Sequence, residues 1–398
     1  MAIIVILILV FVAAECFSVL NVSLRTQTAY IATVYDTIDT RALFIRDEKE
    51  ASAVSGIAVA TVSDGEKVAA GGNIAMLFAS AENAQKYTTY LELEEERRHY
   101  IDMINVTVGS VTDIEMLENN IISDVNGFIR SAAHADMTGA QEYSLGVNDN
   151  LTKRSLLIGN EIDFTAVLED IDSRISAIDV SSCKPSGYVT AEESGFYSRY
   201  TDGCEGIFDY SAINELDLNT FNSYLTRAVS AKGTALGNGK IISSFTWYLC
   251  CVVNSEDVIG LENGDKLEVI VKSANKTLNC KIVRGADTSL GAMQTLLVLS
   301  CNEMDKDISS MRLEDIEIRV KSYTGVKVSS SAVHDLDGEK GVYALVSNIA
   351  KWRRADILYT GEDYVLLSFD DPDIRNGIKL YDEIIIGGKD VYDGKVFA

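Results

Sequence analysis

Two well-separated stretches of this chain are punctuated alike, and what lies between them has a different texture. The first, residues 51–78, reads ASAVSGIAVATVSDGEKVAAGGNIAMLF; Ser55-Gly56 is followed eight residues on by Asp64-Gly65-Glu66. The second, residues 189–207, reads VTAEESGFYSRYTDGCEGI; Ser194-Gly195 is followed seven residues on by Asp202-Gly203, with Glu205 close behind. Short apolar alternations broken by glycine are compact β structure, because glycine supplies the positive φ that tight turns need. Between them, from about Ser80 to Val180, apolar residues recur at spacings of three and four. One stripe is Ile114, Leu117, Ile121, Val125 and Phe128; another is Phe164, Leu168, Ile171, Ile175 and Ile178. Such stripes belong to amphipathic helices. The chain therefore reads as a small β domain split into two halves by a long helical insertion.

The insertion is free to be helical. The only prolines are Pro185 and Pro372, so nothing from Met1 to Lys184 forces a helix to stop. Thr112-Asp113-Ile114-Glu115 reads as a capping box, and Glu94 and Arg98 as a favourable i,i+4 pair. Gly139, Gly146 and Gly159 mark expected breaks, so the helices double back as an antiparallel hairpin with extra short pieces.

The flanks are mainly β. Residues Tyr30 to Phe44 are rich in β-branched and aromatic side chains and read as strand. Residues 209–230 read as a short helical stretch. Residues 266–283, KLEVIVKSANKTLNCKIV, alternate on both sides of a turn at Ala274-Asn275-Lys276. QTLLVLS, DIEIRVKSY and TGVKVSSSAV continue the pattern, which suggests a small barrel. A last short-stranded unit turns at Gly361-Glu362 and at Gly387-Gly388. The expected fold class is mainly β with an α-helical hairpin insertion. Its division is a transmembrane anchor at 1–22, a strand and the first half of the split domain at 23–78, and the hairpin at 79–180. The second half and a short helix follow at 181–235, the barrel at 236–330, and a terminal β domain at 331–398.

Residues Ala2 to Leu20, AIIVILILVFVAAECFSVL, approach the ~20 apolar residues of a membrane helix. The purely apolar run, Ala2 to Ala14, also fits a signal-peptide core. The expectation is an uncleaved anchor with the bulk of the chain outside the cytoplasm, a cleaved signal being the alternative. The net charge of −24 argues against nucleic acid as a partner. Seven cysteines show no Cys-x-x-Cys, and the three histidines have no ligand at metal spacing. Cys250 and Cys251 are adjacent in a strand and point to opposite faces. Disulfides Cys183–Cys204 and Cys280–Cys301 are both left open. There is no Gly-x-Ser-x-Gly elbow, Walker loop or His-Glu-x-x-His. Acidic pairs such as Glu94-Glu95 and Asp370-Asp371 read as solvated faces. Asp335-x-Asp337-Gly338 lacks the spaced ligands of a calcium loop and reads as a hairpin turn.

In this order, the anchor, the two half-motifs, the helical block, the barrel and the terminal β unit resemble the membrane fusion proteins, or HlyD-like periplasmic adaptors. SGIAVATVSDGEKVAAGGNIAMLF is similar to the first half of their lipoyl-like, barrel-sandwich hybrid domain, and AEESGFYSRYTDGCEGI to the second. GVYALVSNIAKWRRADILYTGEDYVLLSF and LYDEIIIGGKDVYDGK resemble the membrane-proximal end in the divergent branch of Gram-positive anaerobes. The resemblance implies a non-enzymatic adaptor of an efflux or secretion transporter, partnered by an inner-membrane transporter, held in the membrane by its N-terminal helix and open to self-association. It implies no cofactor: carrier domains bear their modified lysine in the turn that the helices replace here. Its site residues are the turns of the split domain, Ser55, Gly56, Asp64, Gly65, Ser194, Gly195, Asp202 and Gly203. The hairpin-tip pattern for docking an outer-membrane channel has no counterpart; Arg154-Ser-Leu-Leu157 is a poor match. The alternative function is an extracytoplasmic envelope scaffold for cell division or wall organisation, without a transporter.

Overall fold

The structure, a computed structural model, describes residues 24–52, 55–104, 114–133, 137–157, 163–231, 238–285, 293–369, 376–388 and 390–397. The expected anchor, the capping box at 112–115 in its first two residues, Gly159 and Asp370-Asp371 lie outside them. Among the described residues, no helix is long and apolar enough to cross a membrane.

The chain forms two compact units, Thr37–Val320 in one, Met1–Asp36 with Lys321–Ala398 in the other. After strand β1 (Arg25–Thr28), the long strand β2 (Tyr30–Ile45) carries the chain into the larger unit. There the split β domain is built from β3 (Glu48–Glu50), β4 (Ile57–Ala60), β5 (Lys67–Val68) and β6 (Asn73–Phe78). A helical insertion follows: α1 (Ala81–Ile104), α2 (Ile114–Ala133), α3 (Met137–Leu157) and α4 (Thr165–Ala177). The domain resumes with β7 (Gly187–Thr190), β8 (Gly195–Ser198), helix α5 (Leu218–Ser230) and β9 (Lys240–Ile242). Its two sheets run β4-β6-β7 and β3-β9-β8-β5. Each joins strands from before and after the helices, so neither half is a sheet alone. Ile74, Leu77, Val189, Tyr197 and Ile241 pack between them.

The insertion interrupts a β-hairpin. Strands β6 and β7 pair antiparallel up to Leu77 opposite Gly187, and Ser186 N–H donates to the Leu77 carbonyl at 2.7 Å. The helix pair leaves from that end, its base packed by Phe78, Ala84 and Cys183 with Tyr87 alongside. The insertion is two packed helix pairs, α1 with α4 and α2 with α3. The stripe on α4 is the packed face: Phe164 and Ile171 are buried, and Phe164 meets Tyr100 at 5.4 Å. The stripe on α2 is not. Leu117 is buried, but Val125 and Phe128 are 41% and 43% exposed. The buried side of α2 carries Gly127, against which the Tyr143 ring lies so closely that a Cβ would stand 2.3 Å from it. Gly139 and Gly146 lie inside α3 and break nothing; Gly146 makes room for the Asp124 carboxylate. Arg98 pairs with Glu95, not Glu94.

The barrel follows: β10 (Trp247–Asn254), β11 (Lys266–Val271), β12 (Lys276–Arg284), β13 (Gln294–Cys301), the short helix α6 (Lys306–Ser310) and β14 (Leu313–Ser329). In sheet order β11-β12-β13-β10-β2-β14, the last strand returns to the first, Val269 facing Ile318, which closes six strands. The segments DIEIRVKSY and TGVKV are one strand, β14, rather than two. Trp247 and Phe44 stack at 5.2 Å in its interior, among Leu249, Cys251, Val269 and Leu299. On its outer face Cys250, Leu43, Ile45 and Val298 receive Phe221 of α5. The adjacent cysteines therefore do point to opposite faces.

In the other unit are β15 (His334–Leu336), β16 (Glu339–Val346), β17 (Ile349–Arg354), β18 (Ile357–Thr360), β19 (Tyr364–Leu367) and β20 (Glu383–Gly387). Strand β16 pairs with β15, β17 and β20, and β20 pairs with β1. Ala29, Val326, Val342, Leu367 and Ile384 form its core. Asp337 and Gly338 both have positive φ, and Gly338 N–H donates to Asp335 Oδ1 at 2.9 Å, so this acidic stretch is a hairpin turn.

Candidate functional site

The turns of the split domain interlock its halves. At Asp64-Gly65, Gly65 N–H donates to the Tyr197 carbonyl at 2.8 Å and Tyr197 N–H to that of Glu66 at 2.9 Å. Asp64 Oδ1 accepts the Arg199 N–H, and Oδ2 meets the Arg199 guanidinium at 2.6 Å. Gly65 has φ +75°, and a Cβ there would lie 2.3 Å from the backbone of Asp305, where the barrel leads into α6. Ser55 is exposed; Gly56, at φ +131°, opens β4 against the Phe78 carbonyl. Ser194 is exposed, and Gly195 sits so close to Ile242 that a Cβ would be 2.3 Å from its carbonyl oxygen. Gly203 turns at φ +72° in open space. Both Asp-Gly turns end on a glutamate that accepts a backbone N–H three residues earlier, Glu66 from Ser63 and Glu205 from Asp202.

Asp202 leads to a group of charges that the sequence did not single out. Arg46, at the end of β2, and Glu48, in β3, are buried, as are Lys240 of β9 and Arg312 before β14. Arg312 binds Asp202 through Nε at 2.6 Å, Glu48 through Nη2 and the Phe44 carbonyl through Nη1 at 3.1 Å. Arg46 binds Glu48 through Nε at 2.5 Å and the carbonyls of Ile308 and Met311. Lys240 Nζ lies 3.3 Å from Glu48 and 3.2 Å from Glu205. Three cations and three carboxylates thus balance, and their backbone acceptors lie in the barrel. Burial opposes ionisation of Glu48, but Arg312, Arg46 and Lys240 outweigh it and hold its carboxyl well below the usual range. Asp202 is lowered in the same way, chiefly by Arg312. Burial pulls Lys240 and Arg46 down, whereas the two carboxylates overcome burial at Arg312 and raise it. Glu48 is the centre: it alone touches all three cations. The sequence signal was faint, a charge abutting each apolar run in LFIRDEKE and NGKII.

A second polar group ties α2 and α3 to the barrel. Asp307 of α6 accepts from Arg130 at 2.8 Å and from the Tyr143 hydroxyl. Lys306 Nζ lies 4.0 Å over the Tyr143 ring and 3.8 Å from Asp124. Ser131 and Tyr200 hydroxyls meet at 3.0 Å, and Arg199 reaches Glu142 at 2.8 Å. Burial, then the Asp307 charge, pushes the Tyr143 phenol far up, so it stays a donor at every working pH. Among the described residues, no three His, Cys, Asp or Glu side chains are arranged to hold a metal ion. What this arrangement does chemically is fix the split domain, the helices and the barrel against each other.

Residues 48–246 match the family described as RND related, barrel-sandwich hybrid domain, and residues 247–322 the one described as RND related, beta-barrel domain. A search of the curated proteins gives no match. Among solved structures, MacA from Actinobacillus actinomycetemcomitans is similar at 11% identity over 91% of this chain and 99% of that one, with a TM-score of 0.31. ZneB from Cupriavidus metallidurans is similar at 11% over 93% and 94%, TM-score 0.24. The membrane fusion protein Spr0693 from Streptococcus pneumoniae R6 is similar at 11% over 73% and 98%, TM-score 0.21. At such scores the likeness adds nothing to what the two consecutive domain matches carry. Those matches cover the split domain with its insertion and then the barrel, and on them the chain belongs to the membrane fusion protein, or periplasmic adaptor, family in its RND-related branch.

Proposed function

We propose that this protein is a membrane-anchored, non-enzymatic adaptor of an efflux or secretion transporter, working by protein–protein contacts. The observation that carries the reading is the unbroken succession of the two family domains over residues 48–322. In this reading residues 1–22 are the anchor, residues 79–180 are the arm that meets a partner, and the turns at Ser55-Gly56, Asp64-Gly65, Ser194-Gly195 and Asp202-Gly203 keep the arm's base in shape. The bulk of the chain is extracytoplasmic, and the partner is an inner-membrane transporter. The buried charges support a role through protein–protein contacts, because they lock the split domain to the barrel.

The test is affinity isolation of the tagged chain from detergent-solubilised membranes of its own cells, paired with a deletion strain. The expected result is a polytopic transporter in stoichiometric amount and higher cellular retention of that transporter's substrates on deletion. A deletion that leaves export unchanged and alters cell shape would overturn the adaptor reading in favour of an envelope scaffold. Protease added to intact wall-stripped cells is expected to cleave the chain.

A further inference from the structure

Six cysteines fall among the described residues, and all are buried free thiols. Four stand away from any partner arrangement. Cys183 packs at the base of the helices, in a cluster separate from Cys204, so the Cys183–Cys204 pairing that the sequence left open is not set up. Cys250 and Cys251 are neighbours in one strand and face opposite sides.

Cys280 and Cys301 are arranged differently. They lie on the adjacent antiparallel strands β12 and β13, where Lys281 faces Ser300 and Ile282 faces Leu299. The next position on that ladder sets Cys280 against Cys301. Both side chains turn into the barrel interior, alternating with Leu278 and Ile282 on one strand and Leu297 and Leu299 on the other. Each thiol is the strongest electrostatic influence on the other, which raises Cys280 and lowers Cys301. Cross-strand neighbours hold their Cβ atoms about 4.5–5.5 Å apart, within about an ångström of the separation in a disulfide. The strands need only a small local approach, since both side chains enter the same interior cluster. Cys280 favours the charged form of Cys301, and the thiolate is the species that attacks a disulfide.

We infer that Cys280 and Cys301 are an oxidisable pair that closes to an internal disulfide, stapling β12 to β13 inside the barrel. The oxidant is a disulfide, either a small molecule such as oxidised glutathione or the active site of a thiol–disulfide exchange protein. Cys301 thiolate attacks one of its sulfurs and releases the other as a thiol; Cys280 then attacks the mixed disulfide and releases the second. Two S–H bonds and one S–S bond are lost, one S–S bond and two S–H bonds are gained, and two electrons pass to the oxidant. With relative exposures of 1% and 2%, the pair is closed to reagents in the finished fold. The staple therefore forms while β12 and β13 are still reachable, during folding. The inference stands apart from the adaptor reading, although a compartment outside the cytoplasm supplies such oxidants.

The test refolds the full chain from denaturant in a glutathione redox buffer, blocks remaining thiols with N-ethylmaleimide under denaturing conditions, and maps peptides without reduction. The expected result is one dominant cross-linked peptide joining Cys280 to Cys301, lighter by two hydrogens than the reduced pair. It should be absent from Cys280→Ser, and the oxidised wild type should melt roughly 5 °C or more above the reduced one. Folded reduced protein given the same buffer should form the cross-link far more slowly than refolding protein. Both thiols carrying N-ethylmaleimide, or cross-links falling on other cysteines, would overturn the inference; because the wild-type map decides, it does not depend on any variant folding.

Discussion

Glu48 shows what one carboxylate can hold together. It contacts Arg46, Arg312 and Lys240, so replacing it leaves three buried cations with two carboxylates. Removing one partner of a buried pair costs about 3–5 kcal/mol, because the surviving charge stays buried. Glu48→Gln is therefore expected to destabilise the protein by that amount in urea denaturation. The pH dependence has a definite sign. Glu48 and Asp202 are both depressed when folded, so their contribution is fully present above the ordinary carboxylate range of about 4 and is lost as pH falls through the lower folded values. Stability should hold from neutral pH down to about 4 and fall below it, and Glu48→Gln should show a shallower acid limb. Asp64 is the control: burial raises its carboxyl despite Arg199, so Asp64→Asn should cost less. An equal cost for both substitutions would contradict the account.

At the scale of elements, Asp307 decides how firmly α2 and α3 sit on the barrel. Asp307→Asn keeps the volume but replaces the charge that Arg130 and Tyr143 share. The expected outcome is faster amide hydrogen exchange along α2 and α3, with rates in β10 to β13 unchanged; equal acceleration in the barrel would mean a general loss of stability instead. This is also where the sequence spoke unevenly. The helical block was legible from the stripes of α2 and α4 and the absence of proline, and the 266–283 hairpin and barrel strands from their apolar alternation. The stripe of α2 misled, since Val125 and Phe128 stay exposed while Asp124, Gly127 and Ser131 form the packed side. Small and polar residues can make a helix interface when each hydroxyl or carboxylate finds a partner, and periodicity of apolar residues does not see that. Gly146 misled for a related reason: it is a place of close approach, not an end. The buried charges were illegible as a group because they come from four separate stretches, 46–48, 202–205, 240 and 312, which only the fold gathers.

For the whole molecule, the place where the helices enter matters more than their length. Phe78 and Gly187 stand at the same end of a strand pair, so a turn of a few residues can replace everything between them. Excision of residues 81–180 with a short Gly-Ser linker should leave a folded β protein, with strand-type circular dichroism and a cooperative melt. A chain without a cooperative transition would show that the helices are integral to the β domains. Some loss of stability is expected, because the contacts of Arg130 and Tyr143 with Asp307 and of Glu142 with Arg199 are removed.

The same hairpin junction also governs load. A pull on α1 and α4 together draws β6 and β7 the same way, so the ladder between these strands is not sheared by it. The tension passes instead to the bonds that β6 makes with β4, four residue pairs from Ile57–Phe78 to Ala60–Ala75, which must yield together rather than one at a time. A twist or an unequal pull, in contrast, slides β6 past β7 and works directly on their shared bonds.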